Sequence, residues 1–275
     1  MEELTFAAQK VIFFTGIAVL LTATLTDQYA LNFTYSGATT GPDKWGSLSP
    51  SFWACSKGKS QSPINIVKKD AIFNPRLGHL TRDYISANGT LINNGFNIGL
   101  VYTNGCGKAI LDGKDYTLKQ VHWHSPSEHT INGVRYPLEL HLVHVAGDGS
   151  ISVVAVLHQY GNPDPLLAQI KSSLDELEKE KYGGNKGGQV PVGRIRSKLL
   201  KRKTMKYWTY VGSLTVPPCT EKVNWYILGK VRQISKEQID AIKAPLDGTC
   251  KNNSRPIQPL NGRRVEFYDG HARAP

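Results

Sequence analysis

No two of the four cysteines stand close together. Cys55, Cys106, Cys219 and Cys250 are widely spaced, with no C-x-x-C among them. That excludes a zinc–thiolate knuckle and a thioredoxin-type redox motif. No segment repeats at a fixed period, so a solenoid or propeller is excluded as well. Beyond the first 26 residues no apolar run is long enough to cross a bilayer. The densest positive charge, RIRSKLLKRKTMK from Arg194 to Lys206, has no aromatic residue within it and sits in no nucleic-acid motif. The formal net charge of +11 therefore predicts a cationic surface but not a nucleic-acid reader. The basic run reads as a solvated loop or short helix, with docking to an acidic partner or membrane surface as the minority reading.

What is present fits one sizeable domain. The chain has 275 residues, 40% of them hydrophobic, enough for a substantial core. Lys10 precedes a 15-residue apolar run from Val11 to Leu25, followed by polar sequence. That length is short for a membrane span and right for the core of a signal peptide over residues 1–26, with cleavage between 24 and 30. Glu2 and Glu3 depart from the usual basic start, which keeps an uncleaved anchor as the alternative. Export would place the chain outside the cell, where four cysteines allow three disulfide connectivities. Sequons at Asn32, Asn88 and Asn252 become glycosylation candidates by the same route.

Short strand-like runs recur at residues 63–67, 89–92, 97–102, 115–123, 138–144 and 151–159, then at 207–211 and 223–231. Gly, Asn and Pro separate them, as in a mainly-β domain. Residues 163–181 break the pattern with Leu166, Leu167, Ile170, Leu174 and Leu177 at helical spacing, and Lys236–Lys243 reads as a second, shorter helix.

The chemistry concentrates in QVHWHSPSEHTINGVRYPLELHLVH, Gln120 to His144, which holds five of the eight histidines. On a strand His122 and His124 share a face while Trp123 points away. Asn132-Gly133 is a strong hairpin signal. Folding about it places His124 opposite His141. Three imidazoles converging from two paired strands suit a catalytic zinc, which takes three protein ligands and leaves a fourth position open. His129 and His144 lack such convergence and read as structural hydrogen-bond formers.

QVHWHSPSEHT, ELHLVH, YWTYVGSLTVPPCTE and NNSRPIQPLNGR, with QSPINI at 61–66 and NNG at 93–95, together resemble the α-class carbonic anhydrases of plants. The resemblance covers residues 33–268. It implies a single domain built on a large, twisted, mostly antiparallel β-sheet of around ten strands, with short peripheral helices and a central zinc cleft. It implies zinc on His122, His124 and His141, and reversible hydration of carbon dioxide to bicarbonate and a proton. Zinc lowers the pKa of a bound water from about 15.7 to about 7, which generates the nucleophile.

Carried over residue by residue, Gln120 orients His122, the Asn253 carbonyl orients His124 and Glu139 orients His141. Thr215 and Glu128 aim the attacking oxygen. Val143, Val156, Leu214, Val216, Val223 and Trp225 form the carbon dioxide pocket, and Cys55 pairs with Cys219. Cys106 and Cys250 either pair with each other or stay free. Where fast relatives carry a proton-shuttling histidine, this chain has Phe96. Val216 replaces the threonine or histidine of many relatives, which should alter anion affinity modestly. Relatives reach the extracellular space or, through the secretory route, the chloroplast. The alternative is a non-catalytic relative serving storage or interaction, a class in which ligand histidines are lost. Here the ligand set is complete.

Overall fold

A computed structural model describes residues 33–182, 188–201 and 204–271. The expected signal segment, the Asn32 sequon and two cations of the basic run, Arg202 and Lys203, lie outside the described residues. Among the described residues no helix is long and apolar enough to cross a membrane.

Thirteen strands form the main sheet, and two histidine-bearing strands, Lys114–His124 and Leu138–Val145, lie side by side at its middle. Ile98–Tyr102 flanks the first and Ile151–Tyr160 the second, all antiparallel. Parallel pairing enters where Ile151–Tyr160 meets Glu221–Leu228 and Arg232–Ile234, and where Glu266–Asp269 meets Ile72–Phe73.

Leu138–Val145 is buried along nearly its whole length, because both faces of the sheet are covered there. Leu138, Leu140 and Leu142 turn to one face and join the hydrophobic core with Leu166, Leu167, Ile170, Leu174 and Leu177. Glu139, His141 and Val143 alternate to the opposite face. One strand thus divides the molecule into a packing side and a chemical side.

The stretch predicted as one helix is two, Pro165–Gln169 and Lys171–Tyr182. Asp164 caps the first by accepting from the Leu166 and Leu167 amides, and Pro165 needs no amide partner at that position. Ile170 leaves helical geometry at φ −103°, ψ 8°, yet stays fully buried. The interruption keeps apolar residues of both segments on the core. Lys236–Lys243 is helical as predicted, closed by a Ser235–Gln238 capping box.

The turn at Asn132-Gly133 forms with both residues at positive φ (49° and 78°), and pairs Ile131 with Val134 and Thr130 with Arg135. That small hairpin belongs to a separate three-stranded sheet with Asn65–Ile66. In the main sheet the register is two residues away from the prediction: His141 faces His122, and His124 faces Glu139. The arms are unequal. Residues 125–129 join His124 to Thr130, whereas only 136–138 join Arg135 to Glu139. The convergence of three histidines survives, because a two-residue slip preserves side-chain facing.

The basic run is a strand end through Ile195 followed by one short turn at Ser197–Leu199. Arg194, Arg196, Lys198 and Lys201 are exposed, while Leu199 and Leu200 are buried beneath them.

Cys55 and Cys219 form a disulfide across 164 residues of sequence. It fastens the short helix Ala54–Lys57 to the loop that carries Thr215. Cys106 and Cys250 are both free and buried, so the other pair does not form. Burial pushes the Cys106 thiol up to about 12, which makes it a poor nucleophile. Closing so long a loop predicts that the double variant Cys55→Ala/Cys219→Ala loses about 2–5 kcal/mol of stability. Urea denaturation with and without reductant measures this, and coincident midpoints would refute it.

Candidate metal centre

His122, His124 and His141 stand on the chemical face with ring centroids 4.7–5.1 Å apart. Each ring is fixed by a partner on the side away from the others. His122 Nδ1 meets Gln120 Oε1 at 2.9 Å, His124 Nδ1 meets the Asn253 carbonyl at 2.6 Å, and His141 Nε2 meets Glu139 Oε1 at 2.7 Å. All three partners are acceptors, so those ring nitrogens carry the protons. In the neutral rings the remaining nitrogens, Nε2 of His122 and His124 and Nδ1 of His141, are bare lone pairs.

One ligand atom from each residue lies within 4.8 Å of the others. His122 Nε2 and His141 Nδ1 approach to 3.2 Å. Tetrahedral zinc with Zn–N of about 2.0–2.1 Å sets its nitrogens about 3.3 Å apart. His124 Nε2 is buried and has no hydrogen-bond partner. Convergent, unsatisfied lone pairs in a buried site repel one another unless a cation lies between them. The donor set therefore fits zinc.

Burial lowers the pKa of all three. His122 falls well below 6.5, further depressed by His124 and His141, and His124 falls to about 4. His141 is lowered by burial against the opposing pull of Glu139. Neutral rings are what a metal needs. His144, bonded through Nε2 to Tyr84 Oη at 2.7 Å, is likewise pushed down to about 4 by burial.

In the unfolded chain these rings take up protons near 6.5, while in the folded protein His124 and His144 stay neutral down to about 4. Their contribution is fully present above the unfolded value and is lost as pH falls through this window. For the metal-free protein we expect stability to drop between about pH 6.5 and pH 4, each ring contributing on the order of 3 kcal/mol. A urea midpoint that stays flat across that range would refute the expectation.

Glu139 is not itself a ligand, although it neighbours His129 and His141 closely enough to form a second metal-like cluster. Its Oε1 is engaged by His129 Nδ1 (2.6 Å) and His141 Nε2, and its Oε2 accepts from the Glu128 and His129 amides (2.8 and 2.7 Å). Its acceptor capacity is filled by protein donors.

Glu128 is fully buried, and burial pushes its carboxyl up to about 7 against the opposing effects of His141 and Thr215. Its Oε1 accepts from the Arg255 amide at 3.0 Å. Its Oε2 lies 3.5 Å from His124 Nε2 and meets no donor at strict hydrogen-bond geometry. The Thr215 hydroxyl opposes that rise only in part.

Residues 40–269 match the family model for eukaryotic-type carbonic anhydrase. The chain belongs to this family. It is 40% identical over 229 residues to alpha carbonic anhydrase 7 of Arabidopsis thaliana, covering 83% of this chain and 81% of the relative. Among solved structures, α-carbonic anhydrase from Thermovibrio ammonificans, in complex with the inhibitor sulfanilamide, superposes with TM-score 0.77 at 36% identity. That match covers 86% of this chain and 99% of the other. Dioscorin complexed with ascorbate superposes with TM-score 0.82 at 34% identity, covering 86% and 98%.

In this member of the carbonic anhydrase family most residues expected to form the apolar wall lie on one face, and one does not. Val143, Val223 and Trp225 stand on the histidine face, and Leu214 and Val216 flank Thr215, all buried. Val156 does not belong there. It opposes Leu140, so it faces the hydrophobic core on the far side of the sheet. Val153, paired with both Val143 and Trp225, takes the place assigned to it. A one-strand reading cannot tell odd from even positions in a run as uniform as ISVVAV.

Phe96 is half-buried, its ring 5.1 Å from Phe33, which in turn meets Trp45 at 5.2 Å. Its carbonyl accepts from Asn253 Nδ2 at 3.1 Å. Phe33, the first of the described residues, thus packs on Phe96.

The roles read for His129 and His144 hold. His129 links Glu139 to Tyr210, and His144 links Tyr84 to the Ser152 carbonyl. Arg255 was not picked out from the sequence. Its guanidinium is buried, held by the Gln61 side chain and the Ser62 and Cys55 carbonyls at 2.8–2.9 Å, and burial lowers its pKa to about 10. The only available signal was an arginine inside the NNSRPIQPL motif.

Proposed function

We propose that this chain is a zinc-dependent catalyst of the reversible hydration of carbon dioxide to bicarbonate and a proton. The observation that carries this reading is the set of three neutral imidazoles whose bare nitrogens turn toward one another. His122, His124 and His141 would hold the ion. Bound there, zinc would supply the Lewis acidity that lets a water molecule lose its proton near neutral pH.

The chain's own groups do the rest. Gln120, the Asn253 carbonyl and Glu139 lock the ring orientations. Thr215, by donating to Glu128 in the zinc-bound site, would keep only acceptor capacity and so fix the orientation of the reacting water. The apolar wall of Val143, Val153, Leu214, Val223 and Trp225 excludes competing water and suits an apolar substrate. Val216 offers no hydrogen bond to the anionic product, consistent with modestly altered anion affinity.

Phenylalanine at position 96 cannot relay a proton. Proton export would therefore limit the maximal rate, and small imidazole buffers should raise it. Phe96→His should increase kcat by roughly tenfold at low buffer while leaving kcat/KM nearly unchanged. An unaltered kcat and no buffer response would count against this.

Residues 1–26 would direct the chain into the secretory pathway, with Asn88 and Asn252, both exposed, as glycosylation positions. The likeness to dioscorin keeps a non-catalytic binding role as the second reading, since the fold alone serves both. Zinc analysis with stopped-flow carbon dioxide hydration separates them. One equivalent of zinc with measurable hydration is expected, and stoichiometric zinc without hydration would establish the second reading.

A further inference from the structure

The QSPINI motif carries no ligand and no group of the reaction, yet its second residue has an unusual set of partners. Ser62 is fully buried, and its amide, hydroxyl and carbonyl each make a hydrogen bond. Its amide donates to Ser213 Oγ (2.9 Å), and its Oγ accepts from the Ser213 amide (3.0 Å). Its Oγ also meets Tyr210 Oη at 2.8 Å, and its carbonyl accepts from Arg255 Nη1 at 2.8 Å.

These bonds lead to three different parts of the site. Tyr210 Oη meets His129 Nε2 at 2.7 Å, and His129 Nδ1 meets Glu139, the partner of His141. Ionised Glu139 can only accept, so His129 Nδ1 donates to it. Ser213 lies two residues before Thr215 and is held again through its carbonyl by Trp225 Nε1 at 3.0 Å. Arg255 gives its amide to Glu128. Gln61 reinforces the junction by donating to the Cys219 carbonyl and accepting from Arg255. Even the neighbouring backbone conforms, since a Cβ at Gly212 would collide with Ser62 Oγ.

We propose that Ser62 is a positioning residue that couples the His141 ligand arm to the Thr215 and Glu128 arms, so that the three take up their geometry as one unit. This rests on the zinc-enzyme reading above. An ordinary buried serine would contribute stability alone. A coupling residue must alter metal retention and catalysis together, and in concert with Tyr210.

The test uses Ser62→Ala, Tyr210→Phe and the double variant. It measures zinc loss to a chelator, the visible spectrum of the Co(II)-substituted protein, and kcat/KM for hydration. Each single change is expected to speed zinc loss and lower kcat/KM by about 3- to 10-fold and to shift the cobalt spectrum. The double variant should be no worse than the more damaging single one, because both cut the same path.

Lower thermal stability with unchanged zinc loss and spectrum would overturn the proposal, as would effects that multiply in the double variant. If Ser62→Ala does not fold, Tyr210→Phe, which preserves shape, decides on the same readouts. A wild type without zinc or hydration overturns the enzyme reading and this inference with it. An active wild type with unaffected variants overturns this inference alone.

Discussion

His124→Ala should lose zinc and carbon dioxide hydration together, the latter by on the order of 10³-fold or more. Of the three ligand candidates, His124 is fully buried, has no protein partner on its inward nitrogen, and is anchored outward to the Asn253 carbonyl at 2.6 Å. Alanine leaves two imidazoles, too few for a structure-stable zinc site. It also removes the nitrogen that lies 3.5 Å from Glu128, so the carboxyl faces an empty space. Metal analysis after gel filtration and stopped-flow hydration give the two readouts. A His124→Ala protein that keeps one zinc and its rate would place the metal elsewhere.

Glu139→Gln should lower zinc affinity by about 10- to 100-fold and cost about 3–5 kcal/mol of stability, although no ligand is touched. Burial alone would push the Glu139 carboxyl up, but the facing ring N–H groups of His129 and His141 hold it well below the usual range. Four donors converge on two oxygens. Glutamine can offer only one oxygen, so its amide would meet two donors head-on, either the His129 and His141 rings or the Glu128 and His129 backbone amides. Gln120→Ala, which removes a single neutral acceptor from His122, should have the smaller effect. Competitive zinc titration and urea denaturation decide, and an unchanged zinc affinity in Glu139→Gln would contradict the argument.

The convergence of the three histidines was legible in the sequence because strand alternation is a local rule, and a two-residue register error leaves it intact. His122 and His124 needed only their spacing, and His141 needed only the hairpin. The register itself was not legible. It depends on unequal arms around Asn132-Gly133, and length alone does not say which residues leave the ladder. The helix break at Ile170 was hidden for a similar reason, since the apolar spacing is continuous through it. Val156 was misplaced because strands covered on both faces lose their period-2 signal. Ser62, Tyr210 and Arg255 were out of reach for another reason. Their meaning lies in bonds between residues 81 to 200 positions apart, which no spacing encodes.

The partner of His124 comes from Asn253 and the support of Glu128 from Arg255, 129 and 127 residues further along the chain. A ribosome releases the histidine strands long before it reaches either residue. During synthesis the imidazoles can be laid side by side while one of them still lacks its anchor. Metal capture at full strength would thus wait until residue 253 has been made. A chain cut before residue 253 would keep every ligand and still hold zinc poorly.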